Sequence, residues 1–209
     1  MRPALPFRPL AAALAVAGAL ATSGCAAFRA SLSQVDPDER VHFRASFDHS
    51  DMRLISQEAA ETLRRHPAFA QAENEPPIVI IAGLQNRTTD YVDMKTISDR
   101  IRTLMINQGT ARFVNESRRA ELLAEQGYQA EHATPATQAR IGAQLGARYM
   151  LTGSLAEMEQ RSPNQVRVSR QVIKYYKFTV EVTDLETGLI EATLDTEFAR
   201  QEGRPLVRW

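Results

Sequence analysis

The chain has 209 residues and balances 25 basic side chains against 25 acidic ones, so its formal net charge is zero. This balance provides no global basic field that would indicate nucleic-acid binding. A single cysteine excludes an internal disulfide, so the hydrophobic core alone must hold the fold.

The first 25 residues have the pattern of a secretory signal. Arg2 and Arg8 give a basic start, an apolar run covers residues 10–20, and small residues lead to Cys25. The apolar run is too short to span a membrane comfortably. Residues 22–25 resemble a bacterial lipobox, which implies that Cys25 is lipidated and becomes the mature N-terminus. Ordinary signal cleavage nearby, with an incidental cysteine, is the alternative.

These features divide the chain into four parts. We expect a lipoprotein signal peptide at residues 1–24, a lipidated N-terminus with a short tether at 25–46, an α/β domain at 47–201 and a C-terminal tail at 202–209. Cleavage removes two arginines, so the mature chain carries a charge of about −2. No second long apolar segment follows, and nothing else is expected to span a membrane.

The first half of the domain alternates helices with strands. Apolar spacing predicts a helix that Ser50 caps and that ends before Pro67. A β-branched run predicts a buried strand at 78–82, followed by a polar loop at 83–93. The next helix is predicted at 94–108, with a glycine just after its end.

In the second half the apolar period changes from 3.6 to 2. A short strand at 111–114 precedes two helices, which Asn115 and Thr134 cap. Three alternating strands follow, at 149–157, from Tyr176 and from Ile190, with turns at 161–165 and 184–188. This order predicts an α/β (α+β) fold, in which a mixed sheet of about five strands is flanked by about four helices.

No catalytic or metal-binding pattern is readable. Four histidines are scattered without the paired spacing of metal ligands, and no glycine-rich phosphate loop or nucleophile elbow occurs. Gly153 and Ser154 fall inside a predicted strand, where they suit close packing better than nucleophilic chemistry. We therefore expect a protein that is not an enzyme and that uses no cofactor or metal.

Two groups of residues are candidates for binding a partner. The first follows the first strand and comprises Asn86, Arg87, Thr88, Asp90 and Tyr91. Loops at the carboxyl end of a strand often carry function, and tyrosine and arginine are frequent hot-spot residues. Alternatively, residues 86–88 simply cap the loop and the next helix.

The second group is a basic stretch around the third and fourth strands. It comprises Arg161, Arg167, Arg170, Lys174 and Lys177. These side chains could face an acidic partner or polyanionic cell-wall material. The alternative is a solvated strand face.

Several ordered segments resemble a known family. They lie at residues 78–83 with 86–88, 99–102, 112–114 with 117–119, 144–154, 175–177 and 184–188. The most distinctive are QLGARYMLTGS at 144–154 and DLETG at 184–188. In this order and spacing they resemble the LpoB-type penicillin-binding protein activators, over essentially all of residues 47–201.

The resemblance implies both a fold and a function. Members are similar in fold to the N-terminal domain of TolB, a mixed sheet with flanking helices. They are outer-membrane lipoproteins whose domain faces the periplasm and the peptidoglycan. They bind a class A penicillin-binding protein and stimulate peptidoglycan synthesis, without an active site of their own.

Two features depart from the family pattern. Ala192 stands on the last strand where the family usually carries a tryptophan. The tether of residues 25–46 is also short, because it spans at most roughly 75 Å when extended and about 25 Å as a flexible coil. Either the partner reaches toward the domain or this member serves another partner.

Two other functions remain as alternatives. A CsgG-like secretion-channel component also has a lipidated cysteine and a related Leu-Gly-Ala…Gly-Ser stretch. Such a component needs long hairpins with an apolar outer face, and residues 156–171 are too polar to supply one. A generic periplasmic scaffold lipoprotein is the third reading.

Overall fold

A computed structural model describes residues 34, 36–70, 75–127, 134–162 and 170–204. Its elements follow the predicted order, with one additional helical turn after the first helix. They are α1 His49–Arg65, α2 Pro67–Ala70, β1 Ile78–Arg87, α3 Met94–Asn107, β2 Arg112–Phe113, α4 Glu116–Glu125, α5 Pro135–Gln144, β3 Tyr149–Arg161, β4 Arg170–Asp184 and β5 Ile190–Arg204.

The five strands form one sheet in the order β2-β1-β3-β4-β5. β1 pairs in parallel with β2 and β3, whereas β3, β4 and β5 are antiparallel neighbours. A mixed five-stranded sheet with helices packed on it confirms the predicted fold class.

Short polar signals set the helix ends. Asp48 caps α1, because its carboxylate accepts the backbone N–H groups of Ser50 and Asp51, and Asp51 accepts the N–H of Asp48 in return. Ser50, the predicted cap, therefore lies within the first turn. Asn115 and Thr134 cap α4 and α5 as predicted.

Helices cover both faces of the sheet, but unevenly. α1 and α3 pack on one face and form the main core; its fully buried members include Ile55, Leu63, Ile97, Ile101, Leu151, Leu155 and Phe178. On the opposite face α5 covers a smaller cluster, in which Ala139 packs against Ile80, Met150 and their neighbours. We call the two sides the α1/α3 face and the α5 face.

Gly153 marks a close approach of two strands, as its sequence context predicts. A methyl group at this position would clash with the carbonyl oxygen of Thr179 on β4 and would lie 3.2 Å from the Cα of Val180. The glycine therefore allows β3 and β4 to pair tightly, and Ser154 is a strand residue beside it.

The strands are longer than the apolar patterns indicated. β1 continues to Arg87, so the first part of the expected loop at 83–93 is strand. β3 reaches Arg161, and β4 already begins at Arg170, before Tyr176. Backbone pairing with a neighbouring strand stabilises these polar ends without requiring a buried face.

The segment His42–Phe47, which we call the strap, packs on the domain although it was expected to belong to the tether. Ala45 is buried, its carbonyl accepts the hydroxyl of Tyr176 at 3.3 Å, and its N–H donates to Glu202 at 3.2 Å. β5 runs past Gln201, where the domain was expected to end. Among the described helices, none is long and apolar enough to cross a membrane.

Candidate functional site

Part of the α5 face is not covered by any helix in the described residues. Side chains of β3, β4 and β5 line an open hollow there, with a volume of about 720 Å³. We call this surface the open face and define it by Ala156, Met158, Tyr175, Lys177, Glu197 and Ala199. Its members alternate with the core residues of the α1/α3 face, because successive side chains of a strand point to opposite sides.

A polar row crosses the open face from strand to strand. The register places Arg87 beside Ala156, Ala156 beside Lys177, and Lys177 beside Glu197. The Lys177 ammonium lies 3.1 Å from Glu197 and 3.0 Å from Asp195. Hydrogen bonds to Asp195 and Glu197 raise the pKa of Lys177. The row is therefore a charged border that is largely neutralised within the sheet.

An apolar row lies next to it. Met158 faces Tyr175, and Tyr175 faces Ala199 in the strand register. Met158 is 64% exposed and Tyr175 is 41% exposed. Methionine and tyrosine are enriched in protein interfaces, since both offer a large contact area, and methionine adapts its shape to a partner. This row has the composition of an interface centre.

The loop after β1 carries a solvent-exposed tyrosine. Tyr91 is 97% exposed. The loop below it is held by hydrogen bonds: the Asn86 amide donates to the carbonyl of Asp90 at 2.9 Å, and its oxygen accepts the N–H of Thr88 at 2.9 Å. Thr89 also donates to Glu157 on β3. Asn86 and Thr88 therefore support the loop, while Arg87 and Tyr91 remain exposed on it.

Asp90 turns away from solvent and joins a network on the α1/α3 face. Its carboxylate accepts the Tyr176 hydroxyl at 2.9 Å, the Phe47 N–H at 3.3 Å and the Lys174 ammonium at 3.2 Å. Lys174 is also paired with Glu157 at 2.9 Å. Burial works to raise the pKa of Asp90, but the bonds from Tyr176 and Lys174 outweigh it and hold that pKa below its usual value.

Lys174 is consequently not part of an exposed basic surface. Only 7% of the residue is exposed. Burial alone would lower the pKa of its ammonium, but the bonds to Glu157 and Asp90 raise it. We therefore remove Lys174 and Asp90 from the candidate contact surface and assign them to the fold.

The other basic side chains of the predicted stretch are paired with acids or lie outside the described part of the chain. Arg161 pairs with Glu159, and Lys177 pairs with two carboxylates. Arg167 lies outside the described residues, as does Cys25, and Arg170 is described only as the first residue of β4. The described members therefore do not form a positively charged patch.

A second ionic cluster was not predicted from the sequence. Arg200 donates to Asp48 at 2.8 Å and to Asp51, and His42 of the strap lies 2.7 Å from Asp48. Burial raises the pKa of Asp51 to about 6, although the backbone N–H of Asp48 and the charge of Arg200 act in the opposite direction.

The ligand atoms of His42, Asp48 and Asp51 lie within 4.8 Å of one another, a spacing that can hold a metal ion. The Arg200 guanidinium already supplies the positive charge at this position, so we interpret the cluster as a clamp for the strap. Phe47 strengthens the clamp by packing edge-on against Tyr176, with ring centroids 5.9 Å apart.

The fold and the exposed surface define the class of the protein: an α+β domain that presents an apolar row, a charged border and an exposed tyrosine on a hydrogen-bonded loop. No curated protein matches the chain in sequence. The family described as peptidoglycan-synthase activator LpoB matches it over residues 51–197. The chain therefore belongs to the LpoB family of peptidoglycan-synthase activators.

Solved structures agree with this assignment. The C-terminal domain of LpoB from Salmonella enterica is 14% identical, with a TM-score of 0.54, covering 71% of this chain and 98% of that one. The equivalent domain from Escherichia coli is 14% identical, with a TM-score of 0.51 and the same coverage. At this identity the likeness establishes the shared fold.

Proposed function

We propose that the chain is an outer-membrane lipoprotein that binds a class A penicillin-binding protein and promotes peptidoglycan synthesis. Membership of a synthase-activator family is the observation that carries this proposal. The signal-like N-terminus ending at Cys25 supports export and lipid attachment. The domain then faces the periplasm, where peptidoglycan synthases act.

The open face and Tyr91 are the proposed contact surface. Binding energy concentrates in a few aromatic, methionine and arginine side chains surrounded by polar residues that exclude water. Tyr91, Arg87, Met158 and Tyr175 supply such side chains, and Lys177 with its acidic partners supplies the polar border. The bonds that hold the Tyr91 loop reduce the conformational entropy lost on binding.

The position of the strap favours the same surface. The strap packs on the α1/α3 face, against Tyr176 and near Phe198, and this is the side opposite the open face. The strap itself therefore leaves the open face uncovered.

The strap also shortens the free tether. Residues 25–41 remain between the lipid and the strap, and their extended length is at most roughly 60 Å. The domain then stays close to the membrane that holds the lipid, and the synthase must extend toward it.

Activation in this proposal is a binding effect. An activator raises the rate of an enzyme by binding its active conformation more tightly than its inactive one. The chain supplies contact area, and the synthase supplies the chemistry. The predicted consequence is a higher rate of glycan polymerisation at saturating activator, with no reaction when the synthase is omitted.

The proposal is tested with the lipidated mature chain in detergent and a purified class A synthase. Tyr91→Ala and Met158→Lys are the test variants. Phe43→Ala and Ile106→Lys are matched controls, because both residues are exposed but lie on the strap and on α3. The expected result is stimulation by the parent chain and the controls, with binding weakened at least about tenfold in the test variants. Failure of the parent chain to bind or stimulate any class A synthase of its own cell would refute the function.

A further inference from the structure

β5 forms one edge of the sheet and is unusually long for an edge strand. It spans Ile190–Arg204, which corresponds to about 50 Å of extended chain. Its inner edge pairs with β4, and within the described part of the chain no strand pairs with its outer edge. Such an edge offers a row of backbone N–H and C=O groups to an incoming strand.

The charges beside this edge favour a basic partner. Asp195 and Glu197 lie between Thr193 and Ala199 on the α5 side of β5, and both acids remain substantially exposed, at 43% and 66% of their side chains. Lys177 pairs with both carboxylates from the β4 side only. A strand added on the outer side therefore places two same-facing side chains next to two carboxylates.

The opposite side of β5 favours an apolar residue between the two basic residues of the added strand. Leu194 and Phe198 pack against the core but are only partly buried, because none of the described strands lies on the outer side of β5. An aliphatic side chain on an added strand would cover them. Cross-strand pairs of this kind stabilise a sheet, and opposite charges across strands add to them.

We propose that the outer edge of β5 accepts an extended segment of another protein, with the pattern basic–apolar–basic, as a sixth strand of the sheet. The two basic side chains pair with Asp195 and Glu197, and the apolar one packs against Leu194 or Phe198. Backbone hydrogen bonds supply affinity, and the alternating side chains supply selectivity.

A second copy of this chain fits the edge poorly. Antiparallel pairing of two β5 strands over their full length places Glu197 opposite Glu197 and Leu194 opposite Arg200. Like charges directly opposite each other destabilise a strand pair. The same acids that attract a basic segment therefore protect the edge from self-association.

This site shares Asp195 and Glu197 with the charged border of the surface proposed for the synthase, but its test uses a peptide and no synthase, so it stands whether or not that function is correct. The probe is a seven-residue peptide of alternating lysine and valine with blocked termini, titrated against the lipidated mature chain in detergent. Two further peptides carry N-methyl groups on alternate backbone nitrogens, one on the lysines and the other on the valines. All three have the same charge.

Strand addition predicts that one N-methylated peptide loses at least about tenfold in affinity while the other binds like the parent peptide, because only one set of N–H groups faces β5. Hydrogen exchange of the β5 amides slows in the complex. Equal binding of both N-methylated peptides indicates charge attraction alone and overturns the proposal. Absence of binding also overturns the proposal. This holds whether the edge is then occupied by a second copy or by another segment of this chain.

A charge variant gives an independent check. The double variant Asp195→Asn/Glu197→Gln is expected to bind the parent peptide with about fivefold to tenfold lower affinity at low salt, since each cross-strand ion pair contributes modestly. Glu186→Gln is the matched control, because this exposed acid lies in the β4–β5 turn. The affinity of this variant for the parent peptide should be unchanged. Equal affinity in the double variant and the parent chain would contradict the assigned edge.

Discussion

Replacing Lys174 with methionine is expected to lower the free energy of unfolding by about 3 kcal/mol, the lower end of the range for removing one partner of a buried ion pair. Methionine retains the length of the side chain but leaves two carboxylates without their cation. The Glu157 side chain is 3% exposed, whereas that of Asp90 is 26% exposed and partly solvated. Partial solvation of Asp90 is the reason for choosing the lower value.

Urea unfolding of Lys174→Met and Lys177→Met measures this difference. Lys177 lies on the same strand and also contacts two acids, but its side chain is 48% exposed, so its replacement should lower the free energy of unfolding much less than the replacement of Lys174. The variant Lys174→Met/Asp90→Asn/Glu157→Gln should recover part of the stability, because no unpaired charge remains. Equal stability of the two single variants would refute the structural role of Lys174.

The pH dependence of this effect has a defined sign. The folded-state pKa of Asp90 is below its unfolded value of about 4, so its contribution is present above that pH and is lost as the pH falls through the folded-state pKa. The Lys174→Met defect should therefore shrink below pH 4. A defect that grows toward low pH would contradict the assignment.

Three other predictions follow from the same structure. Tyr91→Ala should weaken synthase binding while leaving urea unfolding unchanged, because the side chain is 97% exposed; a loss of stability would place Tyr91 in the fold. Gly153→Ala should cost about 1–3 kcal/mol through overpacking against Thr179, and unchanged thermal unfolding would show that the strands can separate. Burial raises the pKa of Asp51 to about 6, so its contribution to stability should fall by about 2 kcal/mol from pH 4 to pH 6. Asp51→Asn should remove that part of the pH dependence of the free energy of unfolding. An unaltered pH dependence would argue against the raised pKa of Asp51.

Most of the fold could be predicted from the sequence because its elements carry local signals. Apolar spacing defined α1 and α3, and the polar residues Asn115 and Thr134 correctly marked two helix starts. The strand lengths could not be predicted from apolar pattern, since backbone pairing extends β1 and β4 into polar sequence. The strap was missed for a related reason: Ala45 and Phe47 are held by residues of β4 and β5, far away in sequence.

The site shows the same division between local and long-range information. The exposure of Tyr91 was predictable from its place in a polar loop. The burial of Lys174 had one readable signal, because it shares its strand parity with Phe178 and Val180, which face the core. Its partners Asp90 and Glu157 lie on other elements, and only the folded sheet brings them together. Among the described side chains of the basic stretch, Lys174 is buried and Arg161 and Lys177 are paired with acids, so these three do not form a basic surface.

We propose that this domain activates a peptidoglycan synthase by direct contact. The most direct measurement is the rate of glycan polymerisation by a purified class A penicillin-binding protein, with and without the lipidated mature chain. We expect a faster rate with the parent chain and with Phe43→Ala, and a much smaller increase with Tyr91→Ala or Met158→Lys. An unchanged rate with the parent chain, together with no detectable binding, would contradict it.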